Sequence, residues 1–331
     1  MEVVVSEWNP QVVKLDKIGR HPNADSLEIS TVLGGYTVIF KEGQYKEGDL
    51  VSYVPVDTVC SDDPAFDWLG PKKRIKAIRL RGIFSLGITA PVPEGMQEGD
   101  SIVEHYKLTK YVYEEEVADL VNTNNENAPS GWVIPHYDIE AVRKYSRLLV
   151  DNEEVVLTEK LEGCNASFCH DGERLWVKSR NFFKKEDPLN QWWNVAERLG
   201  LKDKLAKHPN LAFFGELYGN VKGFKYDCQV VQGRVETKVR FFDLWDTKAM
   251  KFLNYDDMVT IVTDLGLEVA PVLHRGPWTG QDLWIHAEGQ SVLGSNIREG
   301  FVIRPVVERV DPRYGRIILK LKGEEYMLKK K

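Results

Sequence analysis

Short β-type segments separated by turn-forming residues run through the first 110 positions of the chain and limit the folds that this part can adopt. The segments are rich in valine, isoleucine and aromatic residues, which favour strands. Glycine, proline, asparagine and aspartate separate them, as at positions 21–25, 34–35 and 46–49. The predicted strands lie at 12–15, 27–29, 36–40, 50–54, 82–84, 87–88 and 101–103. Because short strands at this spacing favour a small closed sheet, residues 1–110 are predicted to form a β-barrel.

The size of the barrel and the residues that follow it predict the domain organisation. An OB-type barrel is one of the few that fit a segment of this length. Residues 111–145 carry polar runs and are predicted to be a linker. Residues 146–331 mix strand-like segments, among them one at 316–319, with helical ones at 188–207 and 255–265. The predicted fold class is therefore α+β, with a small OB-like barrel followed by a larger α+β domain on antiparallel sheets.

Composition excludes several classes of protein. Hydrophobic residues make up 43% and charged residues 28% of the 331 positions, as in an ordinary globular chain. No apolar run approaches the roughly 18 residues of a membrane helix, so no membrane partner is predicted. Four cysteines without CxxC spacing argue against a disulfide framework or a zinc finger and favour the cytoplasm. Glycine-rich GxGxxG and GxxxxGK loops are missing from the sequence, so a nucleotide would have to be held in another way.

A basic patch stands out in the acidic half of the chain. The net charge is −6, and residues 1–150 hold 16 basic and 23 acidic side chains, against 28 and 27 in residues 151–331. Contact with nucleic acid depends on local patches rather than on net charge. Arg79 and Arg81, two positions apart, are predicted to share one face of a strand. With Lys72 and Lys73 they are predicted to contact nucleic acid, the alternative being a solvated strand face.

Charged residues interrupt five strand-like segments of the second half. Lysine and glutamate are costly to bury unless they are paired or take part in chemistry. The segments lie at 159–163, 179–181, 215–219, 299–304 and 319–322. A single Lys-x-Glu-Gly would be weak evidence, but five such segments in this order indicate one functional site.

These segments resemble those of the covalent nucleotidyltransferases, the superfamily of ATP-dependent ligases and mRNA capping enzymes. Lys160-Leu161-Glu162-Gly163 resembles the KxDG motif of that superfamily, with glutamate in place of the commoner aspartate. Phe242-Asp243 resembles its purine-stacking segment. The resemblance spans about residues 150–325 and is strongest to the RNA ligases. The first half, with its segments at 21–25 and 79–82, resembles the leading domain of the Deinococcus-type RNA ligases.

The resemblance implies a nucleotidyltransferase domain at 146–331 in which Lys160 takes up AMP. Implied contacts with ATP or AMP are Glu159 at the adenine amino group, Glu162 and Arg180 beside the sugar and 5′-phosphate, Glu216 at the ribose hydroxyls, Phe242 stacked on the purine, Glu299 as the ligand of Mg²⁺ or Mn²⁺, and Arg304 at a phosphate. The alternative for Phe242 is ordinary core packing.

Attack on the α-phosphorus of ATP requires a deprotonated lysine, whose ordinary pKa is about 10.4. Lys320 and Lys322 are two positions apart, so both can lie on the strand face directed at Lys160. Their charges are predicted to lower the pKa of Lys160 and to neutralise the phosphates.

The predicted function is that of an ATP-dependent RNA ligase acting in three nucleotidyl transfers. The predicted partner is RNA or an RNA-containing duplex with 5′-phosphate and 3′-hydroxyl ends, sealed at a nick during RNA repair, and no protein partner is implied. One alternative is a GTP-dependent capping guanylyltransferase, which Glu159 and the lack of room after Lys322 for a trailing domain disfavour. The other alternative is a non-catalytic RNA-binding protein.

Overall fold

The computed structural model describes residues 8–111, 124–129, 132–219, 226–231 and 234–329. The described residues divide into two compact units. Unit 1 comprises those within 1–116, 140–146 and 327–331, and unit 2 those within 117–139 and 147–326. Much of the predicted linker at 111–145, namely 112–123 and 130–131, lies outside the described residues.

Unit 1 is built from short antiparallel strands. In chain order they are β1 (Gln11–Lys14), β2 (Ile18–Arg20), β3 (Leu27–Val32), β4 (Tyr36–Lys41), β5 (Leu50–Pro55), β6 (Thr58–Val59), β7 (Ile78–Leu80), β8 (Ile83–Ser85), β9 (Gly87–Ala90) and β10 (Thr109–Lys110), with a 3₁₀ turn at Pro64–Phe66. The strands pair in the orders β1-β5-β9, β2-β3-β4, β6-β10 and β7-β8.

Side chains along these strands alternate between two faces, and each face packs into its own apolar cluster in unit 1. Val13 and Val51 point into the cluster that is shared with β3 and β4. Val12 and Val54 point the other way, onto the segment around Phe66. The predicted strands from 12–15 to 87–88 are confirmed, but the strand at 101–103 is wrong. Ser101 makes only an isolated bridge to Gln11, because a turn begins at 103.

The remaining elements follow in chain order. The strands are β11 (Asn125–Glu126), β12 (Glu140–Ala141), β13 (Glu154–Lys160), β14 (Cys164–His170), β15 (Leu175–Ser179), β16 (Phe183–Lys184), β17 (Leu211–Tyr218), β18 (Val230–Val231), β19 (Arg234–Val235), β20 (Lys238–Asp246), β21 (Lys251–Phe252), β22 (Val272–Pro277), β23 (Gly300–Pro305), β24 (Val310–Asp311), β25 (Gly315–Arg316) and β26 (Leu319–Lys322). The helices are α1 (Val142–Tyr145), α2 (Gln191–Arg198), α3 (Leu201–Leu205), α4 (Tyr255–Asp264) and α5 (Glu324–Lys329), with 3₁₀ segments at Ser146–Leu148 and Gly280–Ala287.

Two antiparallel sheets organise unit 2. The first has the order β11-β16-β15-β14-β17-β20-β21, and in the second the unit 2 strands run β26-β23-β13-β22. One apolar cluster joins Phe213 of the first sheet, Val156 of the second, and side chains of α2, α3 and α4. The α+β prediction is therefore confirmed for this unit.

Two predicted elements of unit 2 are divided in the structure. The helix predicted at 188–207 becomes α2 and α3, because Gly200 adopts a left-handed conformation (φ 62°) that ends the first helix. The strand predicted at 316–319 is broken, since the amide of Ile318 bonds back to the carbonyl of Arg316. None of the described helices is long and apolar enough to cross a membrane. All four cysteines lie within the described residues and are free thiols.

Candidate active site

The Lys160–Gly163 segment connects the two sheets of unit 2. Lys160 is the last residue of β13 in the second sheet, and β14 of the first sheet begins at Cys164. Gly163 lies so close to β17 that a Cβ there would be 2.0 Å from the carbonyl oxygen of Leu217. It would also be 3.0 Å from Cγ of Glu216. Only glycine allows this approach, which brings the strand of Glu216 against the lysine segment.

A row across the second sheet places two lysines on one face. Lys160 pairs with Gly300 of β23, and Gly300 pairs with Lys322 of β26. Paired residues on neighbouring strands share a face, so Lys160 and Lys322 point the same way about 10 Å apart at their Cα atoms. Lys320 lies two residues along the same face, paired with Val302. Gly300 has no side chain, so the space between the two lysines stays open for a phosphate.

Lys160 forms an ion pair inside this site. Its Nζ lies 2.8 Å from Oε1 of Glu299, a buried carboxylate just before β23. Burial lowers the pKa of Lys160, and Lys322 lowers it further. Glu299 raises it, and the more distant Glu216 and Glu162 add to that effect. The net result is a pKa above the ordinary value, so the lowering predicted from nearby cations is outweighed by three carboxylates.

Glu162 is held by two tyrosines. Its backbone amide donates to the hydroxyl oxygen of Tyr226 at 2.8 Å. The hydroxyl of Tyr326 donates to Oε2 of its side chain. All three residues are buried, so the orientation of this carboxylate is set by the protein.

Glu159 lies on the opposite face of β13 from Lys160, since consecutive side chains alternate. It is buried, and Oε2 accepts a hydrogen bond of 2.8 Å from the backbone amide of Val292. The hydrogen bond from Val292 fixes the position of the Glu159 carboxylate, a group that accepts hydrogen bonds. Its role at the adenine amino group stays a prediction.

Phe242 lies in an aromatic cluster. Its ring centroid is 5.0 Å from that of Tyr137, and Phe214 and Trp245 belong to the same cluster. A register shift between Phe214 and Gly215 in the pairing of β17 with β20 determines where this ring points. The contact with Tyr137 fits the packing alternative, and stacking on a purine stays a prediction.

Arg304 belongs to a buried ionic network rather than to the lysine site. It bonds Oδ1 of Asp243 at 3.0 Å and Oε2 of Glu308 at 2.6 Å. Asp243 also accepts from Tyr137 and pairs with Arg316. Burial alone would raise the pKa of Asp243, but the two arginines hold it below its ordinary value. The predicted phosphate contact of Arg304 does not fit this arrangement, because its guanidinium is committed to these partners.

Arg180 follows the last residue of β15 and is exposed. Its guanidinium pairs with Asp138, also exposed. Surface pairs of this kind contribute little energy and are readily exchanged. A contact of Arg180 with a 5′-phosphate therefore stays a prediction that the geometry permits.

The basic patch of unit 1 differs from its predicted form. Arg79 lies in β7, but Arg81 occupies the two-residue turn between β7 and β8 with φ 46°. The prediction that the two share a strand face is wrong, because the chain reverses at Arg81 and Gly82. Lys73 pairs with Asp62 at 3.0 Å and with Asp67 at 3.6 Å. Its charge is thus largely neutralised within the protein, whereas Lys72, Arg79 and Arg81 are exposed.

Residues 21–23 hold the turn of this hairpin in place. The amide of Asn23 donates to Nδ1 of His21, which makes Nε2 the protonated nitrogen. Nε2 then donates to the carbonyl of Leu80 at 3.1 Å. The side-chain amide of Asn23 donates to the carbonyl of Arg81 at 2.9 Å. These bonds hold the backbone of Arg81 in a left-handed conformation that is unfavourable for arginine.

A metal site is only partly formed by the protein. Among the described residues no group of three histidine, cysteine, aspartate or glutamate side chains is arranged to hold an ion. Mg²⁺ commonly takes one or two carboxylates and completes its shell with phosphates and water. Glu299 and the two other carboxylates that act on Lys160, those of Glu216 and Glu162, offer oxygen ligands of the kind that such an ion takes.

Several residues of the site escaped the sequence analysis. Tyr226 and Tyr326 contact Glu162 from positions 64 and 164 residues away. Neither lies in one of the five strand-like segments that charged residues interrupt, so the pattern that indicates the site does not include them. Asp138 is a partner of Arg180 for which the sequence carries no signal either.

The site consists of a lysine at the junction of two sheets, with carboxylates beside it. Comparison with protein families shows which enzymes share this arrangement of domains. The RNA ligase family model matches residues 153–322, more than half of the chain. The chain belongs to the RNA ligase family and is a ligase enzyme. An OB-fold domain model matches residues 10–92, which confirms the OB-like barrel. Comparison with the curated proteins found no match.

Solved structures of an RNA ligase from Naegleria gruberi are similar to this chain. The ligase with PPi has a TM-score of 0.78 at 21% sequence identity, covering 96% of this chain and 97% of that one. A mutant with ATP and Mn has a TM-score of 0.77 at 22% identity, covering 98% and 99%. Another mutant with AMP and Mn has a TM-score of 0.76 at 22% identity, again covering 98% and 99%. At this identity the likeness concerns the fold.

Proposed function

We propose that this chain is an ATP-dependent RNA ligase of the Deinococcus type that works through a lysyl-AMP intermediate. The observation that carries the proposal is the arrangement around Lys160. Its amine ends β13, contacts Glu299 at 2.8 Å, and shares a sheet row with Lys322 across Gly300. A nucleophile, a cation for the phosphates and a carboxylate for a metal thus lie within one site.

The first step forms a bond between Nζ of Lys160 and the α-phosphorus of ATP. The amine loses a proton, the bond to the β-phosphate oxygen breaks, and pyrophosphate leaves. Lys320 and Lys322 stabilise the negative charge that develops on the phosphates. Glu299 and neighbouring carboxylates would hold Mg²⁺ or Mn²⁺, which supplies further neutralisation of the phosphates. The Naegleria gruberi complexes with ATP and Mn and with AMP and Mn support this substrate and this metal.

The nucleoside would be recognised by residues carried on both sheets of unit 2. Glu216 is the proposed partner of the ribose hydroxyls, because Gly163 holds its strand against the lysine segment. Glu159 is proposed to accept a hydrogen bond from the adenine amino group, which guanine lacks at that position. Phe242 and Arg180 are the proposed contacts of the purine and of the 5′-phosphate.

The two later steps act on RNA. AMP passes to a 5′-phosphate end, and a 3′-hydroxyl then attacks that phosphorus and expels AMP. The proposed substrate is a nick in a duplex with RNA at the 3′-hydroxyl end, as encountered in repair. The exposed hairpin of unit 1 supports contact with such a duplex, because phosphate binding needs accessible cations.

We expect the purified chain to acquire acid-labile label from α-labelled ATP and a divalent cation, and far less label from GTP. A phosphoamide survives alkali and hydrolyses in acid, and Glu159 would face the oxygen of guanine. Gel electrophoresis after incubation with each nucleotide measures the label. Equal labelling by GTP would favour the capping alternative and overturn the assignment to ATP.

Replacing Arg79 and Arg81 with alanine is expected to weaken binding of a nicked duplex and to flatten its salt dependence. Each lost phosphate contact lowers the slope of log affinity against log salt by up to about one. Fluorescence anisotropy at several salt concentrations gives that slope. Lys73→Ala is the matched control, because Asp62 and Asp67 already neutralise this lysine. An equal effect of Lys73→Ala would show that the hairpin is not the contact.

A further inference from the structure

Tyr326 connects the end of unit 2 to the lysine site. It lies four residues after Lys322, and its hydroxyl donates a hydrogen bond to Oε2 of Glu162. Burial is the main reason that the pKa of this phenol is raised, with Glu299 and Glu162 raising it further. The hydroxyl is therefore protonated and acts as the donor to the carboxylate.

Tyr326 is held firmly by the segment that carries it. The amide of Gly323 donates to the backbone carbonyl of Glu299 at 2.9 Å. The amide of Glu324 donates to Oε1 of Glu288 at 2.7 Å, which satisfies the start of α5. Gly323 itself approaches Ala287 so closely that a Cβ would be 2.6 Å from its carbonyl oxygen. The phenol thus has a fixed position relative to Glu299 and Lys322.

Glu162 needs such a partner because of where it lies. Its carboxylate is buried and acts electrostatically on Lys160. Removing one donor from a buried carboxylate costs free energy and allows the carboxylate to move toward a different donor. Lys160 offers one, and a second ion pair, added to the one with Glu299, would hold the Lys160 side chain in a position from which it cannot reach the α-phosphorus.

We propose that Tyr326 is a positioning residue for lysine adenylylation, which fixes the carboxylate of Glu162 away from the amine of Lys160. The inference rests on the proposed function, since it assigns Tyr326 to the step in which Lys160 attacks ATP. Tyr326 acts through Glu162, to which its hydroxyl donates. The rival explanation is that Tyr326 only anchors α5 by packing.

The test compares Tyr326→Phe with the wild-type chain in single-turnover labelling by α-labelled ATP. The ring and its packing are kept and only the hydroxyl is lost. We expect the maximal rate to fall at least about tenfold, because hydrogen bonds to charged groups are strong enough for a change of that size. The ATP concentration for half-maximal rate should change less than about twofold, since binding contacts are intact. A purely anchoring role would lower the melting temperature and leave the maximal rate unchanged.

A double-mutant cycle shows whether Tyr326 acts through Glu162. Glu162→Gln should slow labelling, and adding Tyr326→Phe to it should slow labelling little further. Additive effects of the two changes would overturn the proposal. If Tyr326→Phe does not fold, Glu162→Gln decides alone, and labelling at the wild-type rate by that variant would overturn the proposal.

Tyr255→Phe is the matched control, because it removes one hydroxyl from a buried tyrosine of the main apolar cluster. It should label at the wild-type rate. Failure of the wild-type chain to label with ATP would contradict the proposed function itself. A wild-type chain that labels, together with Tyr326→Phe labelling equally fast, would contradict only the role of Tyr326.

Discussion

Replacing Lys160 with alanine is expected to abolish labelling by α-labelled ATP, because the attacking amine is removed. Lys160→Arg is expected to do the same, since a guanidinium keeps the positive charge but stays protonated and cannot attack. Both variants should still join an end that already carries AMP, because the third step uses the 3′-hydroxyl as its nucleophile. Labelling and the sealing of a pre-adenylylated nick are measured on the same preparations.

The pair of assays separates loss of chemistry from loss of fold. A variant that fails in both assays and has a lowered melting temperature is misfolded, whereas failure in labelling alone identifies the nucleophile. Lys251→Ala is the matched control, since this lysine is exposed on β21 of the same unit. It should behave as the wild type in both assays. Normal labelling by Lys160→Ala would show that another residue accepts AMP.

The ion pair with Glu299 has a consequence for how Lys160 becomes reactive. While the carboxylate contacts the ammonium, the pKa of Lys160 is held above its ordinary value. Burial and Lys322 both act in the opposite direction. The amine therefore becomes easier to deprotonate when Glu299 takes a different partner. This explains why one lysine can be stable as an ammonium and still be surrounded by groups suited to nucleophilic attack.

The parts of the site that depend on strand periodicity were predictable from the sequence. Lys320 and Lys322 share a face because they are two residues apart in one strand. Lys160 ends β13 and Glu299 immediately precedes β23, its neighbour in the sheet, and both belong to the charged residues that interrupt strand-like segments of the sequence. Side chains alternate between the two faces of a strand, so residues two positions apart can be assigned to the same face from the sequence alone.

The parts that depend on tertiary contacts were not predictable in the same way. The bond from Tyr326 to Glu162 joins residues 164 positions apart, and no local pattern indicates it. Arg304 was predicted to contact a phosphate, yet Asp243 and Glu308 engage it because the register brings them together in the folded chain. The spacing of Arg79 and Arg81, two positions apart, predicts a shared strand face, but Arg81 adopts a positive φ in the turn between β7 and β8. The bonds from His21 to Leu80 and from Asn23 to Arg81, made by residues 59 and 58 positions away, hold the turn there.

Substituting Gly300 with alanine is expected to remove labelling and to destabilise the chain. Gly300 has φ 149°, and a Cβ there would lie 1.9 Å from the carbonyl oxygen of Leu321 and 2.9 Å from Cα of Lys322. The clash is with backbone, so β23 and β26 must separate. Overpacking costs about 1–3 kcal/mol, and a disfavoured backbone conformation costs a further ~1–3 kcal/mol. That sum is a large part of the roughly 5–15 kcal/mol by which domains are stable.

The same substitution tests whether the row from Lys160 to Lys322 requires the open position between them. Gly315→Ala is the matched control, since its φ of 78° is also unfavourable for alanine but no atom lies within 4 Å of the added Cβ. It should lower the melting temperature slightly and leave labelling intact. Gly300→Ala should lower the melting temperature further and, in whatever folded fraction remains, label at least about a hundredfold more slowly, because a misplacement near 1 Å has costs of that order. Wild-type stability and labelling in Gly300→Ala would mean that Lys322 does not need to stay in register with Lys160.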